Sequence, residues 1–254
     1  MSKVQSLPWW WVAGGAIALA GADLAVSLGV AGWTTGLGYL LVSSLLLSRG
    51  LGRRRTARFG PANAVTATRS MLVGVVTALT AASLMGSAVA LLLVPVTSVA
   101  LALDAVDGAV ARRTGTATEL GGRFDMEVDA FLLLVLCVYD VRLVGWWVLA
   151  IGLMRYAFVV AGWMLPWMDA ALPPRYWRKV VTAVCGIALT GVATGLLPFA
   201  GNAALVGAAL LLLVESFGRD VVWLARRAVA ARTASSDAVN RAGGDLVSSP
   251  QDLD

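Results

Sequence analysis

Two stretches of this chain carry no charged residue over 34 positions each, residues 70–103 and residues 181–214. A single α-helix of that length would be about 50 Å long, whereas about 20 apolar residues suffice to cross a bilayer. Each stretch therefore predicts two membrane helices. We expect the turns at Gly86 and Ser87 and near residues 198–202, and Pro95 should kink the second helix of the first pair.

The composition agrees with a membrane protein and excludes an ordinary soluble domain. Of the 254 residues, 59% are hydrophobic and 14% are charged, and the mean hydropathy is +0.79. Further apolar segments lie at residues 9–30, 33–48, 130–139 and 143–165, with a tight turn expected at residues 140–142. The predicted fold is all-α, a polytopic membrane helix bundle with about eight transmembrane helices.

The chain divides into three predicted parts. Residues 1–60 hold two predicted helices and a basic cytoplasmic loop, residues 61–228 hold six predicted helices, and residues 229–254 form a disordered cytoplasmic tail. Of the twenty Lys and Arg residues, only Arg142 falls in an outer loop and only Arg155 in mid-span. The positive-inside rule then places both termini in the cytoplasm, in a protein of the cell (inner or plasma) membrane.

Five arginines fall between residues 49 and 58. Between apolar spans they indicate a cytoplasmic loop that contacts anionic lipid headgroups, and not a segment that binds nucleic acid. The two cysteines, Cys137 and Cys185, lie in apolar segments, which argues against a disulfide framework or a metal–thiolate site. Asp23, inside the first apolar segment, is interpreted as a structural cap.

Four aspartates fall within residues 104–129, beside a membrane segment that tolerates little charge. Five residues at spacings i, i+3, i+4, i+7 and i+8 share one face of an α-helix: Asp104, Asp107, Gly108, Ala111 and Arg112. Gly121, Asp125 and Asp129 share a face of the next helix in the same way. The link at residues 113–120 is short, so the two helices should be antiparallel neighbours whose charged faces meet.

Four clustered aspartates would repel one another, and burying them at mid-membrane depth would cost on the order of 10 kcal/mol. A divalent cation would offset most of that cost. The chain has no His, and no Cys lies near the cluster. Oxygen ligands alone favour Mg²⁺ or Mn²⁺ over zinc. The candidate metal ligands are Asp104, Asp107, Asp125 and Asp129.

The same residues match the pattern Asp-x2-Asp-Gly-x2-Ala-Arg-x8-Gly-x3-Asp-x3-Asp at every fixed position. In this the chain resembles the CDP-alcohol phosphotransferase family (CDP-alcohol phosphatidyltransferases), integral membrane enzymes of phospholipid synthesis. The resemblance implies two bound cations, Asp129 as the general base, and a homodimer. It also implies that residues 61–228 form the six-helix core of the family and that residues 1–60 are an N-terminal two-helix addition. It also assigns the nucleotide to Gly108, Ala111, Arg112 and Gly121, although close helix packing explains the small residues equally well.

A weaker resemblance concerns the start of the core. Asn63, Thr66 and Arg69 fit an Asn-x2-Thr-x2-Arg pattern, which in this family borders the nucleotide pocket. The resemblance therefore implies that they bind the donor. Two other interpretations remain: Asn63 as a helix N-cap and Arg69 as a snorkelling anchor.

Several cations are candidates for holding a phosphate on the acceptor. Arg155 in mid-span is predicted either to bind a phosphate or to pair with an acid such as Glu215. A second basic loop adds Arg175, Arg178 and Lys179. Two acids are not part of the aspartate cluster. Glu215 fits an i,i+4 ion pair with Arg219, and the spacing of Glu127 from Asp125 and Asp129 places it on a different face of the helix.

Residues and resemblance together predict a membrane transferase of phospholipid biosynthesis. It would move a substituted phosphate group from a CDP-alcohol to an acceptor hydroxyl and release CMP. CDP-diacylglycerol is the favoured donor, and glycerol phosphate or inositol phosphate the favoured acceptor. The alternatives are transfer from a CDP-amino-alcohol to diacylglycerol, an aspartate-rich membrane prenyltransferase, a cation transporter, and a family member without catalysis.

Overall fold

The computed structural model describes residues 7–53, 61–114, 119–168 and 176–247. Within those residues the chain forms eight α-helices and two short 3₁₀ helices, with no strand, as predicted. The 3₁₀ helices are Trp146–Val148 and Pro166–Met168. The α-helices are α1 Leu7–Ala25, α2 Gly29–Arg53, α3 Pro61–Leu84, α4 Ala90–Thr114, α5 Glu119–Val144, α6 Leu149–Met164, α7 Tyr176–Ala193 and α8 Phe199–Val247.

Both long uncharged stretches break into two helices, as predicted. Gly86 separates α3 from α4 at φ 103°, and Gly195 lies between α7 and α8 at φ 66°. These positive φ values suit glycine, which has no Cβ to clash. After α3 the Ser87 N–H donates a hydrogen bond to the Ala82 carbonyl at 3.1 Å. This gives a partner to a carbonyl near the C-terminal end of the helix that would otherwise lack one. Pro95 lies inside α4.

Helix α3 lies at the centre of the bundle, where it packs against α1, α2, α4 and α5. Helix α5 also contacts α6 and α7, and α7 packs against α4 and α8. The core between these helices is aliphatic and includes the fully buried Leu79, Leu93, Leu136 and Leu189. The structure therefore places α4 and α5 beside α3, and the N-terminal pair α1 and α2 also packs against α3.

Among the described residues, four helical segments are long and apolar enough to cross a membrane: Gly29–Arg49, Ala67–Leu84, Trp146–Met164 and Phe199–Ala230. Trp10–Ala25 and Ala90–Asp104 are shorter apolar helices. Large apolar side chains such as Leu24, Leu91 and Trp163 project outward from the bundle, as expected for surfaces that face lipid. Together these features describe an integral membrane protein.

Three expectations about helix ends differ from the structure. The turn expected near residues 198–202 lies at residues 194–198, because α7 ends at Ala193 and α8 already begins at Phe199. No turn forms at residues 140–142, because α5 continues to Val144 and Gly145, at φ 95°, makes the break. Residues 229–247, predicted to belong to a disordered tail, continue α8 as a helix, while residues 248–254 lie outside the described chain. Helix α5 continues through Asp140 and Arg142 because two charged residues do not by themselves end a helix. Helix α8 continues because the alanine-rich sequence after Arg227 has high helix propensity.

Candidate functional site

Three of the four predicted aspartates converge. Asp104 lies on α4, while Asp125 and Asp129 lie one turn apart on α5, and one carboxylate oxygen from each lies within 4.8 Å of the other two. Their side chains are 39%, 31% and 25% exposed. Helices α4 and α5 thus bring their acidic faces together, as the spacing indicates. Five other predicted residues lie where side chains are not described: Asp107, Gly108, Ala111, Arg112 and Gly121.

Arg69 of α3 lies among these three aspartates and is fully buried. Its Nη1 pairs with Asp104 Oδ1, and its Nη2 pairs with Asp125 Oδ1 and, at 3.1 Å, with Asp129 Oδ1. Nη2 also donates to the Asp125 carbonyl at 3.3 Å. The guanidinium is therefore the counter-ion of the acidic cluster, and Arg69 is not a snorkelling anchor.

Sequence reasoning missed this partnership, although one signal pointed to it. An arginine within an apolar segment generally faces the bundle interior and an acid. Arg69 directly precedes an uncharged stretch, but the sequence pattern predicts for it only a nucleotide ligand or a snorkelling anchor. Asn63 and Thr66 lie on the same helix, but their side chains are outside the described part of the chain.

The three aspartates fit a divalent cation. When ionised they carry three negative charges, of which the Arg69 guanidinium neutralises one. Each pairs with Arg69 through Oδ1, and a carboxylate has two oxygens, so the arginine and a cation can share the cluster. Two oxygens on opposite sides of one Mg²⁺ lie about 4.2 Å apart. Oxygens already within 4.8 Å of one another therefore need little movement to bind one.

The N-terminal helix pair reaches both sides of this cluster through Tyr39 of α2. The Tyr39 hydroxyl lies 3.2 Å from the Ser70 hydroxyl, next in sequence to Arg69. Its ring stacks on Phe131, two residues after Asp129, with ring centroids 4.7 Å apart and an angle of 17°. The pair therefore braces α3 against α5 at the level of the site, a role that the sequence does not reveal.

We expect Tyr39→Ala to lower the free energy of unfolding by about 3 kcal/mol, because it removes the stacked ring. Tyr39→Phe keeps the ring and removes only one hydrogen bond, so about 1 kcal/mol is expected. Thermal unfolding in detergent measures both. Equal losses for the two variants would contradict bracing through the ring.

Arg155 of α6 forms an ion pair with Glu127 of α5 and not with Glu215, which corrects the predicted partner. Glu127 does point away from the acidic cluster, as the spacing indicates. Glu215 pairs with Arg219 one turn later, as predicted, and accepts a hydrogen bond from the Trp177 indole nitrogen at 3.1 Å.

The second basic group lies at the start of α7. Arg178 is half-buried, with its Nη1 3.6 Å from Asp220 Oδ2. Lys179 is exposed, and its helix α7 packs against α5, which carries Asp129. Arg175 falls outside the described residues.

The remaining polar residues singled out in the sequence have structural roles. Asp23 accepts a hydrogen bond from the Leu28 N–H at 2.8 Å and so caps the turn between α1 and α2. Cys137 and Cys185 are both buried and free, in agreement with core packing.

One comparison with known proteins matches this chain. The sequence model of the family described as CDP-alcohol phosphatidyltransferase covers residues 59–217. The matched segment runs from α3 into α8 and contains Arg69, Asp104, Asp125 and Asp129. Neither the curated proteins nor the solved structures include a significant match.

Proposed function

The chain belongs to the CDP-alcohol phosphatidyltransferase family, and we propose that it transfers the phosphatidyl group of CDP-diacylglycerol to the hydroxyl of a polar alcohol. Members of this family are transferases of phosphate-bearing groups. The observation that carries the proposal is the convergence of Asp104, Asp125 and Asp129 within the matched segment. The pyrophosphate of the donor is negatively charged and would be repelled by these carboxylates. A cation bound between them would supply the positive charge that holds it.

Divalent cations, Mg²⁺ or Mn²⁺, are the proposed cofactor. Asp104, Asp125 and Asp129 would hold them together with Asp107, in the two-cation arrangement that the family resemblance implies. Such cations, when bound, withdraw charge from the pyrophosphate and neutralise the phosphate that leaves on CMP. Arg69 supports this by keeping the three described carboxylates together when the cations are absent.

Asp129 is the proposed general base. It is the least exposed of the three described aspartates, at 25%, and the Arg69 contact at 3.1 Å fixes the orientation of its carboxylate. An acceptor hydroxyl oxygen forms a bond to the phosphorus that bears the diacylglycerol, and the bond from that phosphorus to the CMP oxygen breaks. The hydroxyl proton passes to the Asp129 carboxylate.

The donor would be held by the start of α3 and the end of α4. The proposed contacts are Asn63, Thr66, Gly108, Ala111, Arg112 and Gly121, with Arg112 donating hydrogen bonds to the pyrophosphate. Arg69 is assigned to the carboxylates instead. Orientation of the site toward the cytoplasm, and a homodimer as in the resemblance, complete the proposal.

The acceptor would approach from α6 and α7. Helix α7, which carries Lys179, packs against α5, which carries Asp129. We place the acceptor phosphate near Lys179, with Arg155, Arg175 and Arg178 as further candidates. Arg155 is held by Glu127, so binding a phosphate there would require it to share or leave that pair.

The test is to incubate purified protein with CDP-diacylglycerol and a panel of acceptors, with the lipid identified by mass spectrometry and CMP measured. A phosphatidyl product with stoichiometric CMP is expected. Transfer only from a CDP-amino-alcohol to diacylglycerol would contradict the donor assignment. Release of pyrophosphate in place of CMP would indicate a prenyltransferase.

Cation binding has a readout that does not depend on turnover. At about ten times its Kd, Mg²⁺ should stabilise the protein by about 1.4 kcal/mol and raise Tm by a few degrees, to be reversed by EDTA. Asp125→Asn should abolish that shift, whereas Glu127→Gln, two residues along α5, should retain it. An unchanged shift in Asp125→Asn would remove the site from the aspartate cluster.

A further inference from the structure

Three buried polar side chains lie in the bundle interior, away from the aspartate cluster. Asp140 of α5 is 0% exposed, and neither of its carboxylate oxygens has a hydrogen-bond partner among the described residues. The hydroxyls of Thr80 on α3 and Thr97 on α4 also lack a partner there, and these residues are 4% and 0% exposed. Buried polar groups in native proteins are nearly always paired, so these oxygens indicate a ligand.

The two hydroxyls differ from those of other threonines in this protein. A threonine in an α-helix can donate its hydroxyl hydrogen to the carbonyl one turn earlier. Other helical threonines in the described chain do so, including Thr34, Thr35, Thr77, Thr182 and Thr190. Thr80 and Thr97 do not make this bond. Their oxygens therefore remain available to a ligand in the interior.

Helical spacing places Thr80 and Asp140 opposite each other. Thr80 follows Arg69 by 11 residues on α3, and Asp140 follows Asp129 by 11 residues on α5. Eleven residues make about three helical turns, which return to the same face. Arg69 and Asp129 contact each other at 3.1 Å. Thr80 and Asp140 thus occupy facing positions three turns farther along the same two helices, which pack together.

Thr97 approaches these two residues from the third helix. It precedes Asp104 by seven residues, about two turns, and Asp104 also contacts Arg69. The turn between α3 and α4 reverses the chain, so α4 runs opposite to α3 and α5. Side chains tilt toward the N-terminus of their own helix. Thr97 therefore tilts toward Thr80 and Asp140, and they tilt toward it, which narrows the remaining difference of one turn.

The same helix faces are buried between the two clusters. The residues at the intervening positions are all apolar and buried: Val73, Val76, Ala100, Leu133 and Leu136. These faces therefore line the interior along their length. The aliphatic layers also separate Asp140 from the aspartates that would hold Mg²⁺, so the two groups of oxygens form separate sites.

Charge selects the kind of ligand. An ionised carboxylate buried without a counter-ion is costly, and no described residue forms an ion pair with Asp140. Arg142, two residues later, is exposed. Protonation alone would leave the O–H and the carbonyl oxygen of Asp140 without partners. One monovalent cation neutralises the carboxylate and accepts oxygens from all three side chains, whereas Mg²⁺ would leave a net positive charge and gives up its water reluctantly.

We propose that Asp140, Thr80 and Thr97 bind one monovalent metal cation, in a site that is separate from the proposed Mg²⁺ site and does not depend on the transfer reaction. The ion links α3, α4 and α5 in one half of the bundle, as Arg69 links them in the other. It enters from the nearby end of α5, because Asp140 lies four residues, about 6 Å, before that helix ends at Val144.

The first test is thermal unfolding of detergent-solubilised protein in chloride salts of sodium, potassium or N-methylglucamine, at equal ionic strength and with EDTA present. N-methylglucamine is too large for the site. At about ten times its Kd, sodium or potassium should raise the wild-type Tm by a few degrees relative to N-methylglucamine. Asp140→Asn should lose this shift. A wild-type Tm that is the same in all three salts would overturn the proposal.

The control for the hydroxyls lies one turn away on the same helix. Thr80→Val should weaken the response to the cation, because it removes one ligand oxygen. Thr77→Val removes a hydroxyl that is already bonded to the Val73 carbonyl, and it should retain the full shift. Equal responses in the two variants would remove Thr80 from the site. This comparison also decides the proposal if Asp140→Asn does not fold.

Direct binding separates this site from the aspartate cluster. Wild-type protein in EDTA should retain about one radioactive sodium ion per chain, displaced by excess unlabelled sodium. Asp125→Asn, which alters the proposed Mg²⁺ site, should retain the same amount, and folded Asp140→Asn should retain none. Full binding of sodium by Asp140→Asn would place the ion elsewhere. Absence of both binding and a Tm shift in wild type would indicate a protonated Asp140 that is paired with buried water, and would overturn the proposal.

Discussion

Asp129→Asn should reduce CMP release by at least about 10³-fold while the protein stays folded, because an amide cannot accept the proton of the acceptor hydroxyl. The substitution nearly preserves the shape of the side chain, and the amide oxygen can keep the contact that Oδ1 makes with Arg69 Nη2 at 3.1 Å. The loss should therefore appear in kcat and not in the thermal unfolding profile. Single-turnover assays with CDP-diacylglycerol measure it.

Glu127→Gln provides the control for that experiment. It removes the same charge from the same helix, two residues earlier, but Glu127 pairs with Arg155 and is 57% exposed. We expect it to retain most of the CMP release. Turnover at the wild-type rate in Asp129→Asn would show that another group takes the proton.

The membrane helices were predictable because the physical constraint is local. An uncharged run too long for one span must turn, and glycines allow the turn: Gly86 lies where the sequence places the first break, and Gly195 lies just before the second. The convergence of Asp104, Asp125 and Asp129 was predictable for a related reason. Their spacing fixes which helix face they occupy, and the short link between α4 and α5 fixes which neighbour that face meets.

The cross-helix partners were not predictable, because helical spacing says nothing about which other helix approaches. Arg69 lies 35 positions before Asp104 in sequence, and Glu127 lies 28 positions before Arg155. As long as the packing of the helices is unknown, several acids are possible partners for each arginine. The same limit applies to Tyr39, whose partners Ser70 and Phe131 belong to two helices outside its own pair. Helix ends depend on summed propensities, so the extension of α8 to Val247 was missed as well.

Arg69→Met is expected to have the largest effect on stability, because it leaves three carboxylates in a partly buried site without their shared counter-ion. Breaking a buried ion pair by removing one partner costs about 3–5 kcal/mol, and methionine preserves much of the side-chain volume. CMP release should fall with it, since Asp104, Asp125 and Asp129 would no longer be held together. Arg69→Lys should be intermediate, because an ammonium group lacks the planar fork that contacts all three acids.

A cation titration distinguishes loss of the counter-ion from general loss of packing. If charge repulsion destabilises Arg69→Met, Mg²⁺ should raise its Tm more than it raises the wild-type Tm. The reason is that the cation then also supplies the positive charge that the guanidinium supplies in the wild type. Arg226→Met, which removes an exposed arginine from α8, should respond to Mg²⁺ as wild type does. An Arg69→Met protein with the wild-type Tm and wild-type turnover would show that the acidic cluster does not depend on this arginine.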